Sequence, residues 1–279
     1  MELEREIIQL YKKAATSLPE DVERSLKKAL AKEKSIANYA LSNILKNVDI
    51  ARRRSVPICQ DTGVPVFYVK VPQGTSQHHI KQSIINATRK ATLRVPLRPN
   101  AVDVESDLNT KDNIGLSKGA LEIEQPIIYI EEWEKGKVRI DLLLKGGGSE
   151  NIGMTYKLPD KALGANRDLE GVKKCIIDAV FKAQGKGCPP YIVGVAVGGA
   201  KDILAKESKK QLLRDFSDET KLEEELKEGI NKLGIGPLGL GGKTTALSVK
   251  LKMMHRHPAS FFVDISFNCW ACRRATYEG

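Results

Sequence analysis

Three cysteines of this chain stand in settings that suit a metal ligand or a reactive thiolate better than a disulfide. They are Cys59 in I-C-Q-D-T-G, Cys188 in G-C-P-P and Cys269 in N-C-W-A-C-R-R. Turn-forming or charged residues flank each of them, and long stretches of sequence separate them, so they can meet only after folding. Three thiolates in one cleft predict an iron–sulfur cluster with one iron left open, and an open iron is a Lewis acid.

The other two cysteines are predicted to be structural. Cys175 lies in an apolar helical stretch, where a free cysteine is commonly buried. Cys272 completes a C-x-x-C spacing with Cys269, but the pair lies near residue 270 of 279, away from the early strand–helix junction of a redox motif. We therefore expect Cys272 to be a packed thiol close to the ligands.

Polar residues near these cysteines predict a site for a small anion. Asp61 follows Cys59 by two residues, and Arg98 has the planar fork that binds a carboxylate. The triple glycine that begins at Gly146 follows a predicted strand, and its N–H groups can converge on an anion. The loop around His257 carries two histidines and an arginine, a combination that favours a functional site.

A second glycine-rich segment, Gly241–Thr245, invites comparison with a nucleotide-binding P-loop. Pro237 occupies the place of the first glycine of that motif, and a charged helix precedes the segment where a strand is required. The sequence therefore argues against nucleotide binding here.

Charge and composition limit the classes of function. The net charge is +10, but aromatic residues make up only 5% and the basic residues are dispersed, so an anionic substrate or an acidic partner subunit explains the charge as well as nucleic acid does. No apolar run is long enough to cross a membrane, and the first residues lack the pattern of a signal peptide. We expect a cytoplasmic protein with reduced thiols and neither a nucleic-acid nor a membrane partner.

The hydrophobic periodicity predicts one α/β (α+β) domain over 1–279, in which a helical segment at about 1–54 precedes mixed β-sheets flanked by helices. Strands are predicted at 64–71, 191–197, 244–251 and 260–267. The segments 126–133 and 138–145 are predicted to pair as a β-hairpin. Further helices are predicted at 79–93, 169–184, from about 201 and at 219–233.

Taken together, the motifs resemble the class I, iron–sulfur fumarate hydratases and their relatives, the L-tartrate dehydratases. The matching segments are I-C-Q-D-T-G at 58–63, L-R-x-N at 97–100, K-G-G-G-S-x-N at 145–151, C-P-P-Y at 188–191, G-G-K at 241–243, R-H-P-A at 256–259 and C-W-A-x-R-R at 269–274. The resemblance covers nearly the whole chain in the same order. It implies a [4Fe–4S] cluster with one open iron, held by Cys59, Cys188 and Cys269.

The resemblance also implies roles and partners. Gln60, Arg98 and Gly147 would hold the two carboxylates of a dicarboxylate, while Asp61 and His257 would handle protons at the leaving hydroxyl. The chain ends shortly after Cys269, where one-chain members continue, so we expect an α subunit whose active site a separate β subunit completes, in a hetero-oligomer with two α and two β chains. The base at C3 can belong to that β subunit.

Fumarate hydration to (S)-malate is the expected reaction, with L(+)-tartrate dehydration as the alternative, since the two substrates differ by a hydroxyl that one polar group can select. Two other classes stay open. A cluster-bearing electron carrier would need a fourth ligand, for which Cys272 is the nearby candidate. A basic nucleic-acid-binding protein would hold no iron and would bind with a strong salt dependence.

Overall fold

The computed structural model describes residues 2–95, 97–117 and 123–279. The helices are α1 (Glu2–Thr16), α2 (Glu20–Lys32), α3 (Ser35–Arg54), α4 (Gln77–Arg94), α5 (Gly147–Asn151), α6 (Leu169–Ala183), α7 (Lys201–Gln211) and α8 (Lys221–Asn231). The strands are β1 (Val64–Pro72), β2 (Gly115–Leu116), β3 (Ile123–Gln125), β4 (Ile127–Trp133), β5 (Arg139–Lys145), β6 (Met154–Lys157), β7 (Tyr191–Gly198), β8 (Ala246–Met253), β9 (Phe262–Asn268) and β10 (Arg274–Glu278). Within the described ranges, no helix is long and apolar enough to span a membrane.

The described residues form two compact units. The first comprises the described residues of 2–19, 46–147 and 273–279, and the second comprises Glu20–Leu45 and Gly148–Cys272. Each unit is built on a four-stranded sheet of mixed direction. The predicted class, helices followed by mixed sheets flanked by helices, is confirmed.

The sheet of the first unit has the strand order β10-β5-β1-β4. Strand β1 runs parallel to β4 and antiparallel to β5, with Val64 opposite Lys145, and β10 runs antiparallel to β5, with Arg274 opposite Leu143. This register puts the start of β1, the end of β5 and the start of β10 at the same end of the sheet. That end is where several of the predicted site residues lie.

Helices α1 and α4 cover one face of this sheet. Alternate residues of β1 (Phe67, Val69 and Val71) point toward them, as expected for the two-residue repeat of a strand. On the helix side, Tyr11 of α1 packs edge-on against Phe67 with ring centroids 5.7 Å apart, and its hydroxyl hydrogen-bonds Thr88 of α4. The apolar stripe predicted for α1 is therefore the stripe that covers the sheet.

The sheet of the second unit has the order β6-β9-β7-β8. Its central strand β7 is buried along its whole length, which confirms the buried strand predicted at 191–197. Helices α6 and α8 pack on one face, and α7 packs on the other. The close approach of α7 needs Gly194, because a Cβ atom there would lie 2.1 Å from the carbonyl oxygen of Ser208.

The predicted hairpin of 126–133 and 138–145 is wrong. Both strands exist, as β4 and β5, but β1 lies between them and pairs with each. A short connection brings two strands close in space without requiring that they pair. Strand β1 has five consecutive buried residues, Pro65–Val69, and so takes the inner position, because inner strands bury both faces.

Candidate functional site

The Asp61 carboxylate is held by two backbone N–H groups at the end of the first sheet. Its Oδ1 accepts a hydrogen bond from Gly63 at 2.9 Å, and its Oδ2 accepts one from Gly147 at 2.8 Å. These donors come from the turn before β1 and from the turn after β5. Because the two strands are antiparallel, the register of the sheet brings them together.

Two glycines make this arrangement possible. Gly63 has φ +85°, and a Cβ atom there would lie 2.6 Å from the carbonyl carbon of Leu144, so the turn before β1 can rest directly on β5 only with glycine. Gly146 is equally enclosed: its Cβ would lie 2.8 Å from Nη2 of Arg273 and 3.0 Å from Oδ2 of Asp61.

Hydrogen bonds around Thr62 attach the Arg98 loop to this turn. The Arg98 N–H donates to Thr62 Oγ1 at 3.0 Å, and the Asn100 amide donates to the carbonyl of Gly63 at 3.1 Å. The Asn113 amide donates to the Arg98 carbonyl at 3.2 Å. The backbone of Arg98 is thus fixed on both sides, while its side chain is exposed.

The first unit therefore contains five of the predicted site residues, namely Cys59, Gln60, Asp61, Arg98 and Gly147. Gln60 is exposed, and Asp61 is half-buried. The glycine-rich segment, predicted to turn its N–H groups toward an anion, forms the first turn of the short helix α5. The N–H of Gly147 donates to Asp61, so the anion that accepts this hydrogen bond is a carboxylate of the protein itself.

Cys188 and Cys269 come together in the second unit. Cys188 precedes β7 and Cys269 follows β9, and these strands are antiparallel with Ile192 opposite Asn268. The Trp270 N–H donates to the Cys188 carbonyl at 3.2 Å. Burial raises the pKa of the neighbouring Tyr191 to about 12; the Gly187 N–H opposes this rise, and the thiolate charges of Cys188 and Cys269 add to it.

Exposure separates the three motif cysteines from the other two. Cys188 is exposed and Cys59 and Cys269 are partly exposed, whereas Cys175 and Cys272 are fully buried, as predicted. Burial, together with nearby carboxylates, raises the pKa of Cys175 to about 12, so this thiol is a poor ligand at neutral pH. Three accessible thiols outside any disulfide have the donor chemistry of an iron–sulfur site.

Cys59 belongs to the first unit, and the other two motif cysteines belong to the second. In the described part of the chain, no group of three or more His, Cys, Asp or Glu side chains is arranged to hold a metal ion. The ligand set of Cys59, Cys188 and Cys269 therefore stays a prediction of the sequence.

His257 lies at the other end of the second sheet. It follows β8 on an exposed loop whose backbone passes close to Gly199, where a Cβ atom would lie 2.9 Å from the His257 nitrogen. The length of β7 separates this end from Cys188, which at the usual rise per residue is about 20 Å. The second unit does not bring His257 together with Cys188 and Cys269.

Several residues that hold this site were not predicted from the sequence. Thr62, Asn100 and Arg273 lie inside the recognised motifs, so their motif positions were the available signal. Asn113 lies in no motif, yet it is 1% exposed and supports the Arg98 loop. Its role depends on tertiary contacts that the local sequence does not reveal.

In the first unit, a carboxylate held by two glycine N–H groups lies next to the loop of an exposed arginine, which defines a candidate catalytic site for a small acidic substrate. The sequence profile of the family described as "Fumarate hydratase (Fumerase)" matches residues 4–278. The chain belongs to this family of hydro-lyases.

Individual relatives agree with that assignment. The chain is 43% identical over 277 residues to a putative fumarate hydratase class I of Geobacillus stearothermophilus, an alignment that covers 95% of this chain and 52% of that protein. It is 38% identical over 285 residues to a putative L(+)-tartrate dehydratase subunit alpha of Methanocaldococcus jannaschii, covering 99% of this chain and 96% of that one. It is 33% identical over 274 residues to the L(+)-tartrate dehydratase subunit alpha of Escherichia coli K12, covering 94% and 86%. The chain thus spans about half the length of the Geobacillus relative and most of the two alpha subunits.

Proposed function

We propose that this chain is the α subunit of an iron–sulfur fumarate hydratase, which interconverts fumarate and (S)-malate together with a separate β subunit. The observation that carries the proposal is the Asp61 carboxylate, held by the N–H groups of Gly63 and Gly147 next to the Arg98 loop. The similarity to proteins named as alpha subunits supports a partner chain, since the alignments span nearly all of those proteins. A hetero-oligomer of two α and two β chains in the cytoplasm is part of the proposal.

The proposed cofactor is a [4Fe–4S] cluster held by Cys59, Cys188 and Cys269. When bound, such a cluster supplies a Lewis acid at its open iron, which polarises the bond between C2 and the hydroxyl oxygen of malate. Support comes from the accessibility of these thiols and from the full burial of Cys175 and Cys272.

The exposed side chains of the first unit would bind the dicarboxylate. Arg98 can donate two parallel hydrogen bonds to one carboxylate, and its backbone is held by Thr62 and Asn113. Gln60 can donate from its exposed amide. The Gly147 N–H already donates to Asp61, so Gly147 would act on the substrate through that carboxylate. Donors that are fixed before the substrate arrives stabilise charge without reorganising during the reaction.

Asp61 is the residue to which we assign proton handling. In the dehydration direction, a proton on the Asp61 carboxyl passes to the departing hydroxyl, which leaves as water. In the hydration direction, the carboxylate accepts that proton from water. The proton at C3 goes to a second base, which we assign to the β subunit. Hydration is thus the addition of one water across the double bond of fumarate.

His257 is our second candidate for proton handling. Because it lies about 20 Å from Cys188 along the sheet of the second unit, it can reach a substrate at that cysteine only from a neighbouring chain. Replacement of His257 with Asn tests this assignment: loss of turnover at full iron content supports it, and retained turnover removes His257 from the site.

L(+)-tartrate dehydration is the second candidate function. The two alpha subunits to which the chain is 38% and 33% identical carry that name. The same chemistry applies to both substrates, since loss of water from tartrate gives the enol of oxaloacetate. Discrimination between the two requires only one group that hydrogen-bonds the extra hydroxyl.

The test is anaerobic reconstitution of the chain with iron and sulfide, followed by addition of the β subunit. Iron content and the EPR signal after brief exposure to air are measured first, then turnover of malate and of tartrate. Serine replaces each motif cysteine in turn, with Cys175→Ser and Cys272→Ser as matched controls. We expect about four irons per chain and a three-iron signal after air, both lost in the three motif variants and kept in the controls.

The kinetics identify the substrate. A kcat/KM for malate about 100-fold or more above that for tartrate supports the fumarate hydratase, and the reverse ratio supports the tartrate dehydratase. If no iron is retained, or if Cys272→Ser loses the cluster, the open-iron proposal fails. In that case the electron-carrier and nucleic-acid alternatives gain weight.

A further inference from the structure

Arg273 is a buried cation that the proposed function does not use. It is 1% exposed, and within the described residues its Nε and Nη1 atoms have no hydrogen-bond partner. A buried charge with unsatisfied donors costs free energy, so stability alone gives no reason for an arginine at this position.

The guanidinium lies against Gly146, and the Asp61 carboxylate lies against the same glycine. A Cβ atom on Gly146 would be 2.8 Å from Arg273 Nη2 and 3.0 Å from Asp61 Oδ2. The two charged atoms are therefore within about 6 Å of each other, a range at which opposite charges attract strongly in a poorly solvated site. Only the Cα of a glycine fits at this place.

The backbone of Arg273 is fixed to the strand that leads into Gly146. The Leu144 N–H donates to the Arg273 carbonyl at 2.9 Å, and the next residue, Arg274, opens β10 opposite Leu143. The backbone of Arg273 is therefore held in place, and its guanidinium packs against the turn after β5. In that turn, the Gly147 N–H holds Asp61.

A direct contact between Arg273 and a substrate does not fit these observations. The Nε and Nη1 atoms have almost no accessible surface, so a small molecule cannot reach them without displacing the protein around them. The remaining nitrogen, Nη2, faces Gly146.

We propose that Arg273 is a positioning residue for Asp61. Its buried guanidinium packs against Gly146 and so keeps the N–H of the next residue, Gly147, directed at the Asp61 carboxylate. The positive charge of the guanidinium also attracts that carboxylate, which lies on the other side of Gly146. The role of Asp61 in turnover rests on the proposed function, whereas the geometry of the Gly147–Asp61 hydrogen bond does not.

Three variants and one control test the proposal. Arg273→Gln removes the charge, Arg273→Lys keeps the charge without the planar fork, and Gly146→Ala places a methyl group between Arg273 and Asp61. The control is Gly136→Ala in the same unit, since a Cβ atom there would meet nothing within 4 Å and the residue has no positive φ.

The kinetic test uses the reconstituted complex with the β subunit. We expect Arg273→Gln and Gly146→Ala to lower kcat about 100-fold, the effect typical of a misplaced catalytic group, while KM changes less than about threefold. The kcat of Arg273→Lys should be about tenfold higher than that of Arg273→Gln, and Gly136→Ala should match the wild type. Iron content should be the same in all variants. A rise in KM at unchanged kcat, or wild-type kinetics in Arg273→Gln, would overturn the proposal.

Amide exchange tests the geometry without any catalysis. In the isotope-labelled full chain, the hydrogen exchange of the Gly147 amide is followed by NMR. We expect exchange at least about tenfold faster in Arg273→Gln and Gly146→Ala than in the wild type and in Gly136→Ala, because an N–H that loses its acceptor loses protection. Unchanged exchange in both variants refutes the positioning role. If the complex turns over neither substrate while exchange responds as expected, the proposed function fails and the inference about Arg273 stands.

Discussion

Replacement of Gly63 with alanine should destabilise the first unit more than any substitution at an exposed glycine of the same unit. At φ +85°, a residue with a side chain pays about 1–2 kcal/mol in backbone strain. The new Cβ would also lie 2.6 Å from the Leu144 carbonyl carbon and 2.9 Å from the Lys145 nitrogen. Backbone atoms of a central sheet cannot move aside easily, and overpacking of this kind costs about 1–3 kcal/mol more.

Gly63→Ala should therefore lower the free energy of unfolding by about 3 kcal/mol, which corresponds to a fall in Tm of roughly 6–9 °C for a chain of this size. The measurement is urea unfolding of the cluster-free chain, followed by far-ultraviolet circular dichroism, with thermal unfolding as the second readout.

Alanine substitutions at two other glycines distinguish the cost of backbone strain from the cost of steric crowding. Gly74 has φ +76° with nothing within 4 Å of its Cβ position, so Gly74→Ala should cost about 1 kcal/mol from strain alone. Gly136 has neither a positive φ nor a close neighbour, so Gly136→Ala should change the free energy of unfolding by less than about 0.5 kcal/mol. If Gly63→Ala loses no more stability than Gly74→Ala, the close approach of the Asp61 turn to β5 is not a feature of the folded protein.

Other predictions concern the second unit. Cys269→Ser should abolish iron binding while Cys272→Ser retains it, and equal iron contents by colorimetric assay would contradict the ligand assignment. Burial alone would raise the pKa of Glu223, but backbone N–H groups and the Arg214 guanidinium lower it below its ordinary value of 4.5. Glu223→Gln should therefore lower the free energy of unfolding by about 1–3 kcal/mol at pH 7. In urea titrations this difference from the wild type should shrink as the pH falls below about 4.5, because the wild-type carboxylate becomes protonated. A difference that does not depend on pH would refute this linkage. Thr220→Ala removes the capping box of α8 and should cost about 1 kcal/mol, measured by the same titration, whereas no loss would mean that the cap adds nothing.

The sequence predicted the elements of this fold better than their partners. The buried strand at 191–197 and the helix that ends near residue 184 follow from continuous apolar runs and helical periodicity, which are local properties. Strand order is not local, and the insertion of β1 between β4 and β5 was missed for that reason. A short turn between two apolar strands is equally compatible with pairing and with separation by a third strand.

In the site, too, local motifs predicted some residues, while others depend on tertiary contacts. The motifs identified Asp61 and Arg98, because their residue types and neighbours are informative by themselves. They did not reveal that the Gly147 N–H would take Asp61 as its acceptor, since that contact depends on the register of β1 against β5. Asn113, which no motif marks, became visible only through its hydrogen bond to the Arg98 carbonyl.

Strand direction explains which motifs meet in each unit. In the first unit, the turn before β1 and the turn after β5 share one sheet end because the strands are antiparallel, and the start of β10 joins them for the same reason. In the second unit, the antiparallel pair β7 and β9 brings Cys188 to Cys269, while the parallel pair β7 and β8 sends the segment after β8 to the opposite end. His257 follows β8, so its separation from Cys188 is a consequence of topology. Movement of a loop side chain cannot cancel a separation set by the full length of a buried strand, and a role for His257 at the cysteines therefore requires a second chain.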